Sequence, residues 1–291
     1  MLNVLSVDVE EYFHPTEVQP FVDSSRWAEY PSRIEAQVER VLELFERRGA
    51  KATFFALGWV AEHHGSVLRA IRSAGHEIAC HSYAHQLVYR LNPTDFQRDT
   101  ERAVAAIEDA CGVAPAAYRA PSYSITRDSL WALEVLAAGG FTHDSSIYPI
   151  AHDHYGIPGF NRHAHVILTP SGAIEEIPIA TAKVWPGMVT PTGGGAYLRL
   201  LPYRYTAAGI RRINRDECKP ACVYFHPWEL DPDLPRLAHG RVSRLRTYAG
   251  IEKMRAKLDR LLAEFQFASL RQVHPCPVRP PAPIGEASRA R

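Results

Sequence analysis

Two histidines with three residues between them, His81 and His85, can reach one cation from a strand end and the turn after it. A catalytic zinc-type site needs three protein ligands and one position left open for water. The third ligand must then come from elsewhere in the chain. Asp8 and Glu10 alternate, so on an extended strand both point to one side. Two carboxylates at a buried strand end repel unless their roles are separated, one on a cation and the other beside a guanidinium. Arg119 can provide that guanidinium and hold a carboxylate ionised and oriented. His226, between Phe225 and Pro227 at the end of an apolar run, stands where a general acid would sit. Pro121 stiffens the turn after Arg119, which makes the amides of Ser122 and Tyr123 candidate oxyanion donors. Asp144, in Asp144-Ser145-Ser146, either caps a loop or orients a histidine. Each residue also has a plainer reading: a packed histidine, a solvated strand end, or an arginine on a surface loop. Glu11 points away from its neighbours and reads as a surface acid.

These residues need strand ends to bring them together, and the sequence supplies strands and helices in strict alternation. Residues 4–7 read as a buried strand. Ser32 and Glu35 form a capping box before a helix carrying Ile34, Val38, Val41, Leu42 and Phe45 up to Gly49. A strand at 53–57, a helix at 60–74 and a strand at 77–80 follow, the last delivering His81. Asn92-Pro93 opens a helix closed by Gly112. A strand at 117–118 delivers Arg119, Thr126 caps a helix ended by Gly139-Gly140, and a strand near 141–143 delivers Asp144. Such alternation predicts a parallel sheet, most simply a distorted (β/α) barrel of about seven strands. Ligands and catalytic groups at the C-terminal ends of strands are the arrangement of barrel enzymes.

The rhythm breaks at 147–202, rich in Pro and Gly, with a strand-like run at 176–179 and a glycine turn at Thr192-Gly193-Gly194-Gly195. Long irregular segments in compact domains are often functional. Alternation resumes with a helix at 205–215, a strand at 221–225, a helix at 246–264 and a last strand at 267–270. The expected organisation is one domain over 1–273, with a core at 1–146, an insertion at 147–220 and closing elements at 221–273. The tail 274–291, with five prolines, is expected to be disordered.

Hydrophobic residues make up 46% and charged residues 22% of the 291, which is ordinary for a soluble globular chain. With 33 basic against 32 acidic side chains, nothing points to a nucleic-acid partner. Five scattered cysteines show no Cys-x-x-Cys pair, so reduced thiols in a cytoplasmic protein are expected. The first residues lack a cationic start and a cleavage site, and no apolar run is long enough to span a bilayer. The expectation is a cytoplasmic protein, reaching the inner membrane only through a lipid-linked substrate. The oligomeric state stays open.

Taken in order, the acidic first motif, His81-Ser82-Tyr83-Ala84-His85, Arg119-Ala120-Pro121, the Asp144 motif and Phe225-His226 resemble the polysaccharide deacetylase family, the nodulation-deacetylase homology group. The resemblance covers about residues 1–146 and the strand at 221–228. The run from Asp8 to His14, His154-Tyr155-Gly156-Ile157-Pro158, the glycine run and Phe225-His226-Pro227-Trp228-Glu229 look like a subgroup found beside exopolysaccharide loci in bacteria with an exosortase system. The resemblance implies that Asp8 is the catalytic base and that Glu10, His81 and His85 bind a divalent metal, Zn²⁺ first, with Co²⁺ another candidate. It also implies that Arg119 tethers Asp8, Tyr123 contributes an oxyanion amide, and His226 is the acid, tuned by Asp144. Many relatives carry two adjacent aspartates in the first motif; here a spacer and a longer glutamate stand instead.

The implied activity is N-deacetylation of an acetamido sugar in a glycan polymer or its lipid-linked precursor, as part of exopolysaccharide synthesis. In the insertion and after it, Tyr155, Trp185, Tyr197, Tyr203 and Trp228 are candidates to stack on sugar faces or to pack in the core. Arg199 is a candidate for an anionic sugar or phosphate. His152-Asp153-His154 is either a second metal site or a polar loop rim. Two other readings remain: an allantoinase-like hydrolase of a small cyclic amide or ureide on the same barrel, and a non-catalytic glycan-binding module.

Overall fold

The computed structural model describes residues 1–275 except 154, 186 and 187. The tail expected to be disordered therefore lies outside the described residues beyond position 275. In chain order the elements are β1 (Leu2–Val9), α1 (Ile34–Arg48), β2 (Thr53–Ala56), α2 (Gly58–His63), α3 (Gly65–Ser73), β3 (Glu77–Cys80), α4 (Pro93–Cys111), β4 (Ala117–Tyr118), α5 (Trp131–Ala138) and β5 (His143–Asp144). Then come β6 (His165–Thr169), β7 (Gly172–Glu176), β8 (Thr181–Trp185), β9 (Met188–Pro191), α6 (Ala196–Leu200), α7 (Tyr203–Asp216), β10 (Cys222–Phe225), α8 (Arg241–Tyr248), α9 (Ile251–Glu264), β11 (Gln266–Ala268) and α10 (Leu270–Val273).

The expected barrel is present. Parallel pairing runs β10-β1-β2-β3-β4-β5-β7. The chain just after β7 then meets β10, where Ala180 N donates to Cys222 O at 2.9 Å. β11 adds in parallel to β1, and β6 pairs antiparallel with β7. No helix among the described residues is long and apolar enough to cross a membrane.

Strand periodicity sorts the barrel's side chains into two layers. Val4, Phe55, Ala79, Ala117, Cys222 and Tyr224 point into the lumen. Their neighbours Leu5, Val7, Phe54, Tyr118, Val223 and Phe225 pack outward under the helices. Ser6 and Asp8 continue the lumen face of β1 toward the C-terminal mouth.

Several local expectations change. The Ser32–Glu35 capping box does not form. Glu11, expected at the surface, is fully buried and caps α1 instead, accepting from Arg33 N (3.1 Å), Ile34 N (3.2 Å) and the Ser32 hydroxyl. The first-turn amides of a helix need acceptors, and a carboxylate there also suits the helix dipole. The helix expected at 60–74 breaks at His64 into α2 and α3, and that at 246–264 breaks at Gly250, which is left-handed (φ 82°). The segment 147–220 is more than an insertion, because it contains β7, a strand of the barrel.

The glycine run has a steric role. Gly193 O accepts from Tyr224 N at 2.7 Å and Gly195 N donates to Tyr224 O at 3.0 Å. A Cβ on Gly194 (φ 124°) would lie 1.9 Å from Tyr224 O, so only glycine fits against β10.

Asp231, just past β10, ties the loop after His226 to α1 through Arg33 Nε (2.6 Å) and Gln37 Nε2 (2.9 Å). Burial resists its ionisation, but Arg33 and Gln37 outweigh that and hold its carboxyl at about 2. A depressed carboxyl stabilises the fold above its unfolded value and loses that contribution as pH falls through the folded value. We expect thermal stability to drop between about pH 4 and pH 2, and the Asp231→Asn variant to start lower at neutral pH and show a flatter decline over that range. Melting curves across pH check this; parallel slopes for the two proteins would exclude it.

Candidate active site

Asp8 is the penultimate residue of β1 and Glu10 follows that strand, His81 follows β3, Arg119 follows β4, and His226 follows β10. The barrel thus brings all five to one mouth. Glu10, His81 and His85 are buried, and their ligand atoms lie within 4.8 Å of one another, the one such group among the described residues. His85 Nε2 lies 3.4 Å from Glu10 Oε2, and the two imidazole rings are 5.5 Å apart at 70°. The turn that doubles back to place His85 holds Ser82 and His85 in left-handed conformations (φ 65° and 52°), with the Ser82 hydroxyl accepting from His85 N.

This donor set fits a divalent cation on three grounds. Glu10 Oε2 is buried with no hydrogen-bond partner. His81 Nδ1 is occupied by Arg119 O at 2.8 Å, which leaves Nε2 as the free lone pair. Burial pushes both His81 and His85 down to about 4, so both are neutral ligands at ordinary pH. The longer glutamate reaches the imidazoles despite the spacer at Val9.

Arg119 is fully buried and its guanidinium is completely engaged: Nη1 with Asp8 Oδ1 (2.7 Å) and Ser6 Oγ (2.9 Å), Nη2 with Ser145 Oγ (2.9 Å), and Nε with Ser145 O (3.1 Å). It also lies 4.1 Å over the Phe55 ring. Burial resists charge on Asp8, but Arg119, aided by His81 and His226, holds its carboxyl below the usual range. Asp8 is thus an anion with one oxygen braced and the other toward the cavity.

His226 Nε2 lies 3.1 Å from Glu10 Oε1 and 3.9 Å from Asp8 Oδ2. Burial disfavours its charge, but Glu10 and Glu229 outweigh that and raise it to about 10. Its Nδ1 is held by Glu229 Oε1 at 2.6 Å. Here the structure corrects the sequence reading, for Asp144 is not the partner of His226. Asp144 accepts from Ser146 Oγ (2.6 Å) and Ser146 N (3.1 Å), and Ser146 Oγ accepts from Ala120 N (2.8 Å). Asp144 therefore organises the loop that carries Arg119. Burial and the neighbouring Asp144 raise Glu176 well above the usual carboxylate range.

Tyr123 is a second correction. Its amide donates to Ala120 O at 3.0 Å, closing a turn in which Ser122 and Tyr123 are both left-handed, so it is not a free oxyanion donor. Its ring lines the cavity instead.

The mouth opens into a cavity of about 520 Å³ whose wall includes Tyr155, Tyr197 and Trp228 beside Asp8, Glu10, His81, His85 and His226. Trp228 stacks on His226 (4.9 Å, 17°), and Tyr155 stacks on Tyr148 and His152. Trp185 does not line the cavity; it is 74% exposed on the β8–β9 hairpin. Tyr203 packs against Arg260 and Glu264, away from the mouth. Arg199, expected to meet an anion, borders this cavity, but it is buried and its guanidinium nitrogens are engaged within the protein. His152 pairs with Asp153, while His154 lies outside the described residues.

Sequence reasoning missed Ser6, Ser145, Glu176 and Glu229. Ser6 was findable, since it shares the lumen face of β1 with Asp8. Glu229 was findable from its place three residues after His226, where a carboxylate can return to the histidine at a turn.

The fold and this site define a parallel α/β barrel that gathers a three-ligand cation set, an arginine-braced carboxylate and an imidazole at one mouth. Residues 27–139 match the model of the polysaccharide deacetylase family, and residues 145–275 match a domain of unknown function (DUF3473). The deacetylase match thus lies within the N-terminal half of the chain. The chain is 33% identical over 112 residues to a peptidoglycan deacetylase-like protein of Gibberella zeae, covering 38% of this chain and 32% of that one. It is 29% identical over 113 residues to the peptidoglycan deacetylase of Helicobacter pylori, covering 39% and 38%. These matches span about a third of each of those relatives.

The fold resembles a solved Mycobacterium smegmatis protein assigned as a polysaccharide deacetylase (TM-score 0.62, 20% identity, 96% of this chain and 92% of that one). It also resembles a Bacillus anthracis protein described as a CE4 family pseudoenzyme (TM-score 0.50, 13% identity, 94% and 64%). Fold alone therefore does not decide activity, and the site residues must.

Proposed function

We propose that this protein is a metal-dependent hydrolase that removes N-acetyl groups from an acetamido-sugar glycan or its lipid-linked precursor. One observation carries the reading. An arginine-braced carboxylate, Asp8, and an imidazole, His226, stand 3.9 Å apart beside a three-ligand cation set on the floor of one cavity.

Glu10, His81 and His85 would hold the cation, with Zn²⁺ the first candidate. When bound, such an ion polarises a carbonyl and makes water a better nucleophile near neutral pH. Asp8, anionic beside Arg119, takes the water proton as the water oxygen bonds to the acetyl carbon. His226, charged at neutral pH, gives its Nε2 proton to the sugar nitrogen as the C–N bond breaks. The products are acetate and a free amine. The aromatic wall of Tyr155, Tyr197 and Trp228 suits the C–H faces of pyranose rings. The motif resemblance favours a place in exopolysaccharide synthesis.

The test is acetate release from N-acetylated oligosaccharides by protein loaded with Zn²⁺ or Co²⁺, alongside cyclic amides and ureides. Acetate release with metal, absent after chelation, is the expected result. Turnover of the cyclic amides alone would favour the small-molecule reading, and glycan binding without acetate would favour a binding module.

A further inference from the structure

Arg199 and Glu229 both lie in the segment that matches a domain of unknown function, and both are almost completely buried (3% and 0% exposed). Glu229 faces two ways. Its Oε1 accepts from His226 N (3.0 Å) and meets His226 Nδ1 (2.6 Å), and its Oε2 meets Arg199 Nε (2.6 Å). The remaining nitrogens of Arg199 are bound to main chain, Nη1 to Ala249 O (2.8 Å) and Nη2 to Arg246 O. Lys257 fixes the backbone around Arg199, donating to Leu198 O (3.0 Å), Arg199 O (2.6 Å) and Leu201 O (2.8 Å). The turn at Gly250 packs so closely that a Cβ there would lie 2.6 Å from Arg199 O. The Trp228 ring is pinned between His226 and the Arg199 guanidinium, which lies 5.5 Å from the ring centre.

A guanidinium bound in this way has little left to offer a ligand. A buried carboxylate shared between an arginine and an imidazole has a definite effect, however. It fixes the ring plane and keeps the proton on Nδ1 whenever Nε2 has given its own away. We propose that Arg199 and Glu229 form a positioning relay behind His226, so that the segment of unknown function builds the proton-donating half of the site. The kinetic arm of this proposal rests on the deacetylase reading above; the structural arm does not.

Glu229→Gln keeps the shape and removes the charge, Arg199→Met removes the brace, and the third variant combines them. With deacetylase turnover as readout, Glu229→Gln is expected to lower kcat by about 10²-fold with KM and bound metal within about twofold. Groups acting as one unit are non-additive, so the double variant should be no worse than the poorer single one. Proton–nitrogen correlation spectra of the histidine rings give an activity-free readout. The native protein should show a protected His226 Nδ1–H signal, and that signal should shift or exchange rapidly in both single variants.

An Arg199→Met protein with raised KM and unchanged kcat would overturn the relay and return Arg199 to substrate contact. Multiplicative losses in the double variant, or an unmoved His226 signal in both single variants, would also overturn it. If the native protein showed no turnover, the deacetylase reading would fail while the spectra still decided the relay.

Discussion

Replacing Asp8 by Asn should lower acetate release by about 10²- to 10⁴-fold, the usual contribution of a positioned acid or base. The substitution is nearly isosteric, so Arg119 Nη1 can keep a contact with the amide oxygen in place of Asp8 Oδ1 at 2.7 Å. What goes is the free carboxylate oxygen that accepts a proton. Metal content and melting temperature should stay close to those of the native protein, separating lost chemistry from lost structure. Full turnover in the Asp8→Asn protein would refute the base assignment. If the bound metal disappeared as well, Asp8 would be a ligand rather than a base.

The second large effect concerns the cation. Replacing His85 by Ala removes one of three ligands from a set already limited to Glu10, His81 and His85. The loss in metal affinity should exceed the roughly 10- to 100-fold that follows removal of a mere outer-shell partner. Two measurements check it: metal content by elemental analysis after dialysis, and the rise in melting temperature on adding Zn²⁺, expected for the native protein and absent from the variant. Turnover should fall in step with occupancy. A variant that bound metal as well as the native protein would break the site apart. It would leave Glu10, whose Oε2 has no partner otherwise, without an explanation.

Much of the barrel was legible because its periodicities are strong. Alternation in β1 and helical spacing in α1 and α4 mark the elements, and the C-terminal ends of the strands then place Asp8, His81 and Arg119. Glu11 was misread because alternation assigns it a face but cannot reveal that a helix start needs an acceptor there. Asp144 was misassigned because several acids follow strands, and only packing decides that Glu229 reaches His226 first. Arg199 was misread for the same reason, since burial of an arginine depends on a carboxylate thirty positions away. In the irregular stretch before α6 the strand-like run was read at 176–179, a few residues after β7 (172–176), and the pairing of β7 with β5 is set by tertiary contact.

The pairing of β1 with β10, Val4 opposite Cys222, has a consequence for how the chain is made. β1 leaves the ribosome well ahead of β10, the strand that flanks it on one side and lies more than two hundred residues later. At about 5–20 residues per second, its edge waits on the order of ten to forty seconds for that neighbour. Throughout synthesis the nascent protein thus carries an exposed, largely apolar strand edge, a liability that chaperone cover or rapid translation would relieve.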